Sequence, residues 1–240
     1  MLQVCLNGTR TAADSSAVPL SPAALADAAR QAVAAGADDV HVHPKTPCGQ
    51  DSLSPRVVGP ALEAIRAAVG VPVGVTTGAR AEPDPVRRAE RIATWTVLPD
   101  HASVNWHEPG AETVAEALLA RGIGVEAGLR SGTDGPELFA RSPLGPRVLR
   151  ILAEVTDTDP GSAPAVARAL LVSLTAHGRP VLLHGEDGGA WPVLRLAGAL
   201  RLATRIGVAD TLLLPDGSPA ASNGQLVAAA RVLLDGSDGG

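Results

Sequence analysis

The chain has 240 residues, 45% of them hydrophobic, enough to bury one large core, and its net charge of −5 comes with scattered lysines and arginines that offer no footprint for nucleic acid or an anionic membrane. Two cysteines, Cys5 and Cys48, make no disulfide framework and fit a reducing cytoplasm. Met1 runs straight into an apolar strand with no basic region or cleavage site, and no apolar run approaches the ~20 residues of a membrane span, so a soluble, cytoplasmic, non-exported protein is expected.

Val4-Cys5-Leu6, ending in Asn7-Gly8, reads as a short strand with Cys5 buried in it. Ser21 and Pro22 then supply a helix cap and a first helical proline, and Leu25, Ala28, Ala29, Ala32 and Val33 recur at helical spacing up to Gly36. Residues 38–43 form the next strand, in which His41 and His43 share one face while Val40 and Val42 pack behind them. Pro44, Lys45, Pro47 and Gly49 mark a loop just after it, so the histidine pair sits at a strand's carboxyl end. The alternation continues with a helix at 55–69, a strand at 71–76, a helix at 85–96, a strand at 101–107, a helix at 112–120 and a strand at 123–129. A short helical piece at 136–140, a strand at 148–155, a helix at 163–177, a strand at 181–184, a helix at 191–203, a strand at 205–208 and a helix at 223–234 complete it.

Strands alternating with helices imply a parallel sheet, and eight such repeats with no linker predict one α/β domain over residues 1–240, a closed (β/α)8 TIM barrel. An open doubly wound sheet is the alternative. It lacks its usual signs here, since no Gly-x-Gly-x-x-Gly follows the first strand and no Walker loop occurs.

In such a barrel the strand ends converge on one mouth. They bring Asn7, Arg10, His41, His43, Lys45, Thr76 and Thr77 from the first three strands, then Ser103, Asn105, His107, Glu126, Glu154, His184, Glu186, Arg205 and Asp210. His41 and His43 supply two of the about three protein ligands that a catalytic zinc keeps, and Glu186, Glu126 and His184 are candidates for the third. The metal would polarise a carbonyl, which suits keto acids, while Arg205 and Asp210 bind a carboxylate and move a proton. Plainer readings exist for each: a strand-end hydroxyl is often a turn former or helix cap, Arg205 and Asp210 are a rim ion pair, and one histidine is a satisfied core residue.

The chain resembles the β-keto acid cleavage enzymes in Leu6-Asn7-Gly8, Ala35-Gly36-Ala37 leading to His41-Val42-His43, Thr76-Thr77-Gly78, Ala102-Ser103-Val104-Asn105 and Arg205-Ile206-Gly207-Val208-Ala209-Asp210-Thr211. Asp216-Gly217 and Ser222-Asn223 continue the likeness. The resemblance implies a zinc-dependent barrel, commonly a homo-oligomer, that exchanges acyl groups between a β-keto acid and acetyl-CoA. By it, His41 and His43 are zinc ligands, Thr76, Ser103 and Asn105 line the keto acid pocket, and Arg205 and Asp210 are the catalytic pair. Glu126 is taken as a further pocket residue and Glu186 as the third ligand.

Two positions depart from the family pattern. A metal-binding glutamate is expected just before the aspartate, where this chain has Ala209, and members of the family often also carry a glutamate just after the first strand, near Thr9 and Arg10 here. Arg205, Gly207 and Ala209 share a strand face, so a glutamate at 209 would reach the same mouth as the histidines. Three readings follow: another carboxylate replaces it and the chain is an acyltransferase; the chain is a metal-weak homologue that binds small molecules; or the barrel runs another metal-assisted aldol or hydrolytic reaction.

Overall fold

Along the strands, branched apolar residues alternate with polar or small ones, and the apolar set is sealed against the surrounding helices. Val4, Val40, Val42, Val73, Val75, Ala102 and Val104 are all fully buried in this outer shell. The computed structural model describes residues 1–174 and 177–236. Its strands are β1 (Leu2–Cys5), β2 (Asp39–Val42), β3 (Val73–Thr76), β4 (His101–Asn105), β5 (Gly124–Arg130), β6 (Arg150–Val155), β7 (Val181–Gly185) and β8 (Ala203–Ile206). All pair in parallel in chain order, and β8 returns to pair with β1, closing the barrel.

The helices between them are α1 (Pro22–Ala34), α2 (Pro55–Ala68), α3 (Pro85–Ala93), α4 (Ala111–Ala120), α5 (Gly135–Arg141), α6 (Ala163–Leu174), α7 (Ala190–Ala199) and α8 (Asn223–Asp235). Their starts follow from local chemistry. Ser21, Asp84 and Ser222 cap α1, α3 and α8 by accepting backbone N–H bonds, each worth about 1 kcal/mol. Among the described residues no helix is long and apolar enough to cross a membrane.

The ladder register fixes which side chains point inward together. Cys5 lies opposite His41, His41 opposite Gly74, Gly74 opposite His101, Thr76 opposite Ser103, and Glu154 opposite His184. The inner side of this barrel is therefore polar, in contrast to the branched apolar layers that usually fill one. Gln3, Asp39, His41, His101, Glu126, Arg150, Glu154 and His184 are all buried.

Several boundaries differ from the expectation: β1 runs over Leu2–Cys5 rather than 4–6, α3 stops at Ala93 and β4 at Asn105, and the differences around β8 bear on the site. The helix expected over 191–203 stops at Ala199, because Arg201 takes a left-handed backbone (φ 54°) that turns the chain into β8. That strand then runs over Ala203–Ile206, two residues earlier than the apolar run Ile206-Gly207-Val208 suggests, so Arg205 lies inside it. The expected helix over 163–177 is helical to Leu174, and its residues 175 and 176 lie outside the described ones.

Candidate active site

The carboxyl ends of the strands open into a cavity of about 190 Å³. His41, His43, Thr76, Ser103, Asn105, Glu186, Arg205 and Asp210 all line it, as does Ala209. Glu126 does not. The seven-residue β5 carries it as its third residue, so it sits deep in the barrel, fully buried, rather than at the mouth. There it accepts bonds from Gln3 and Arg150 and faces His101 Nδ1 at 3.1 Å. The pocket role expected for it is replaced by an internal ion network with Asp39, to which Arg150 donates at 2.9 Å.

The two histidines are held by different means. His41 projects from β2 with its Nδ1 3.6 Å from Glu126 Oε2. His43, one residue past β2, has its backbone clamped by Asn7, whose Oδ1 accepts from His43 N–H while its Nδ2 donates to the His43 carbonyl. Asn7 is thus a buried positioning residue rather than a lining one. The His43 ring places Nδ1 3.4 Å from Asp51 Oδ2, and the two imidazoles stand 5.6 Å apart. Burial pushes His41 down to about 4 and lowers His43, so both rings are neutral near pH 7. Asp51 beside His43 Nδ1 leaves its Nε2 as the nitrogen available for ligation, the arrangement of a metal-bound imidazole with carboxylate support, whereas His41 Nδ1 is buried and has no hydrogen bond among the described residues.

Among the described residues, two groups of side chains bring ligand atoms within 4.8 Å of one another: Cys5, His41 and His43, and His41, His101 and Glu126. The second is occupied by its own charges, with Arg150 Nη2 2.6 Å from Glu126 Oε1. No cation bonds the first among the described residues, although the Arg205 charge acts on all three of its members and burial pushes the Cys5 thiol up to about 12; its neutral imidazoles and a thiol that gives up its proton to a metal suit a zinc ion. Glu186 belongs to neither group; it lies at the rim, 3.7 Å from Arg130.

Across the cavity, Arg205 donates to Asp210 Oδ1 from Nε at 3.1 Å and Nη2 at 2.7 Å, and His184 Nδ1 lies 3.3 Å from the same oxygen. Burial alone would raise the Asp210 carboxyl, but Arg205 and His184 outweigh it and hold it at about 2. Its Oδ2 is buried and has no hydrogen bond among the described residues. An ionised carboxylate with a free oxygen is a base waiting for a proton source.

In the remaining wall, sequence reasoning did not single out Arg130, Glu108 or Arg88. Arg130 binds Glu154 at 3.1 Å, and Asn105 Nδ2 donates to Glu108 Oε1 at 2.8 Å, with Glu108 in turn anchored by Arg88. Glu108 sits in a loop past β4, where no periodic pattern marks it. Thr76 Oγ1 accepts from Gly78 N–H, while Thr77 Oγ1 is spent on the Ser103 carbonyl.

The family model of the beta-keto acid cleavage enzymes matches residues 1–126, a stretch that contains His41, His43, Thr76, Ser103 and Asn105. No curated protein matches. Among solved structures, a ternary complex of ObcA with a C4-CoA adduct and oxalate superposes with a TM-score of 0.75 at 14% identity, covering 93% of this chain and 65% of that one. ObcA in its apo form gives 0.68 at 15%, over 93% and 63%. The 3-dehydroquinate dehydratase of Aquifex aeolicus VF5 gives 0.58 at 15%, over 98% of each chain. The chain spans less than two thirds of the ObcA chains, and at these identities the likeness is one of fold.

Proposed function

The chain belongs to the β-keto acid cleavage enzyme family, and from that premise we propose that it is a zinc-dependent acyltransferase exchanging acyl groups between a β-keto acid and acetyl-CoA. The products would be acetoacetate and a new CoA thioester. The observation that carries this reading is the pairing, in one cavity, of two neutral histidines with an ionised Asp210 whose Oδ2 is unpartnered.

Bound by His41 and His43, zinc or another divalent ion would supply Lewis acidity toward the keto acid's oxygens. Arg205, which lines the cavity, would take the substrate carboxylate. Sharing the guanidinium with a second anion weakens its hold on Asp210, which raises that carboxylate's affinity for a proton at the moment substrate arrives. Asp210 Oδ2 then accepts a proton from the carbon between the keto and carboxylate groups, and that carbon adds to the acetyl-CoA carbonyl as the C–S bond breaks to release CoA thiolate. The thiolate adds to the original keto carbonyl, the old C–C bond breaks to give the new CoA thioester, and the acetoacetate carbanion takes the proton back from Asp210. Ser103, Asn105 and Thr76 orient the acid on the opposite wall.

A second reading has an observation of its own: Ala209 lines the cavity and offers no ligand atom, which suits a metal-weak protein that only binds small acids. One experiment separates the two. Zinc-loaded protein is incubated with acetyl-CoA and a panel of β-keto acids, and acetoacetate and new thioesters are followed by mass spectrometry. Turnover with at least one acid, lowered about 10²–10⁴-fold in Asp210→Asn, is expected. Keto acid binding without turnover across the panel favours the binding reading.

A further inference from the structure

Position 209 lacks a ligand, yet the cavity wall beside it holds one. Cys5 ends β1 directly opposite His41 in the β1–β2 ladder, so both side chains leave their strands on the same inward face. On its other side the Ala209 N–H approaches the Cys5 carbonyl at 3.4 Å, which makes residues 5 and 209 neighbours on one rim. The Cys5 residue is 1% exposed, its side chain lines the cavity, and among the described residues its thiol makes no hydrogen bond. Its sulfur and one nitrogen from each of His41 and His43 all fall within 4.8 Å of one another. Two nitrogens and a sulfur on one tetrahedral zinc stand roughly 3.3–3.6 Å apart, from Zn–N of about 2.0 Å and Zn–S of about 2.3 Å, so small side-chain shifts close the site.

We propose that Cys5, as a thiolate, is the third protein ligand of a transition-metal ion held by His41 and His43, taking the place of a carboxylate at position 209. The proposal rests on the metal reading given above. It replaces Glu186, whose carboxylate is outside the cluster and beside Arg130. On binding, the thiol releases its proton to solvent and sulfur donates a lone pair to the ion, so the site keeps one anionic ligand and its fourth position stays open. The softer donor favours zinc and cobalt over magnesium and manganese.

The test uses Cys48→Ser protein, in which Cys5 is the sole cysteine. Titration with Co²⁺ is expected to give a thiolate-to-cobalt charge-transfer absorption in the near ultraviolet that saturates at one ion per chain. His41→Ala/His43→Ala should abolish it, and Cys5→Ser should remove the band. Changes outside a metal's ligand set already cost about 10–100-fold in affinity, so zinc affinity in Cys5→Ser, measured by chelator competition, should fall by more than about 100-fold. Histidine-dependent cobalt binding without the band, at unchanged affinity in Cys5→Ser, overturns the thiolate ligand and leaves the histidine site standing. Absent binding, or binding that survives loss of both histidines, overturns the metal reading as well. The band in Cys48→Ser decides the matter even if Cys5 variants fail to fold.

Discussion

At the residue scale the most consequential group is His101, which lies inside the barrel between Asp39 and Glu126. Its Nε2 is 3.0 Å from Asp39 Oδ1 and its Nδ1 3.1 Å from Glu126 Oε2. Burial alone would lower the imidazolium, but Glu126 and Asp39 outweigh it and raise His101 to about 10. A raised folded-state value means that this pair's stabilisation is fully present below the unfolded value of about 6.5 and is lost as pH climbs toward 10. Glu126, held well below its ordinary range against burial by His101, gives the mirror limb, with stabilisation lost as pH falls below about 4.5. Metal-free protein should therefore lose stability to guanidinium between pH 6.5 and 10. His101→Gln should be about 3–5 kcal/mol less stable at pH 6.5, because it leaves buried carboxylates underpaired, and should lose most of that pH slope. An identical slope in both proteins sinks the assignment. The sequence does not show this network: the strand pattern puts Glu126 at the mouth, because only a ladder register tells a strand's third residue from its end.

At the element scale the seam between β8 and β1 decides where Arg205, Cys5 and residue 209 stand. The alternation of helix and strand was legible there, but the strand's limits were not. Ile206-Gly207-Val208 looks like a buried strand core, whereas Asp210 N–H and Thr211 N–H both bond the Gly207 carbonyl and turn the chain. Gly207 is needed for a reason no periodicity encodes: a Cβ there would lie 2.0 Å from the Cys5 carbonyl oxygen, which belongs to backbone and cannot swing away. Gly207→Ala should thus part the seam, costing at least about 1–3 kcal/mol as an overpacked site does, and weaken metal binding in parallel. Gly70→Ala is the matched control, since a Cβ there meets nothing within 4 Å; it should be neutral or gain about 0.4–1 kcal/mol. Equal denaturation midpoints for the two variants would show that the seam tolerates the extra atom.

At the scale of the whole molecule, the closed barrel was legible because eight apolar strand faces at regular spacing have few ways to be buried together. The polar inner face was not, since a strand pattern shows that a polar residue shares a side with others, not whether that side is solvent or an interior. The inner face also ties metal to fold. Cys5 and His41 lie on β1 and β2, and β1 is the strand that pairs with β8 to close the ring. An ion bridging β1 and β2 binds the closed barrel and not the unfolded chain, so it must stabilise by mass action. Zinc at a hundredfold excess over its Kd contributes about 2.7 kcal/mol. For a chain of this size each kcal/mol moves Tm by about 2–4 °C, so zinc should raise Tm by roughly 5–11 °C and a chelator should reverse it. The shift should vanish in His41→Ala/His43→Ala, shrink in Cys5→Ser and be recovered when Ala209→Glu is added to Cys5→Ser, because residue 209 borders the same rim. A zinc-dependent Tm shift that persists without both histidines would place the ion elsewhere on the molecule and remove the link between metal and barrel closure.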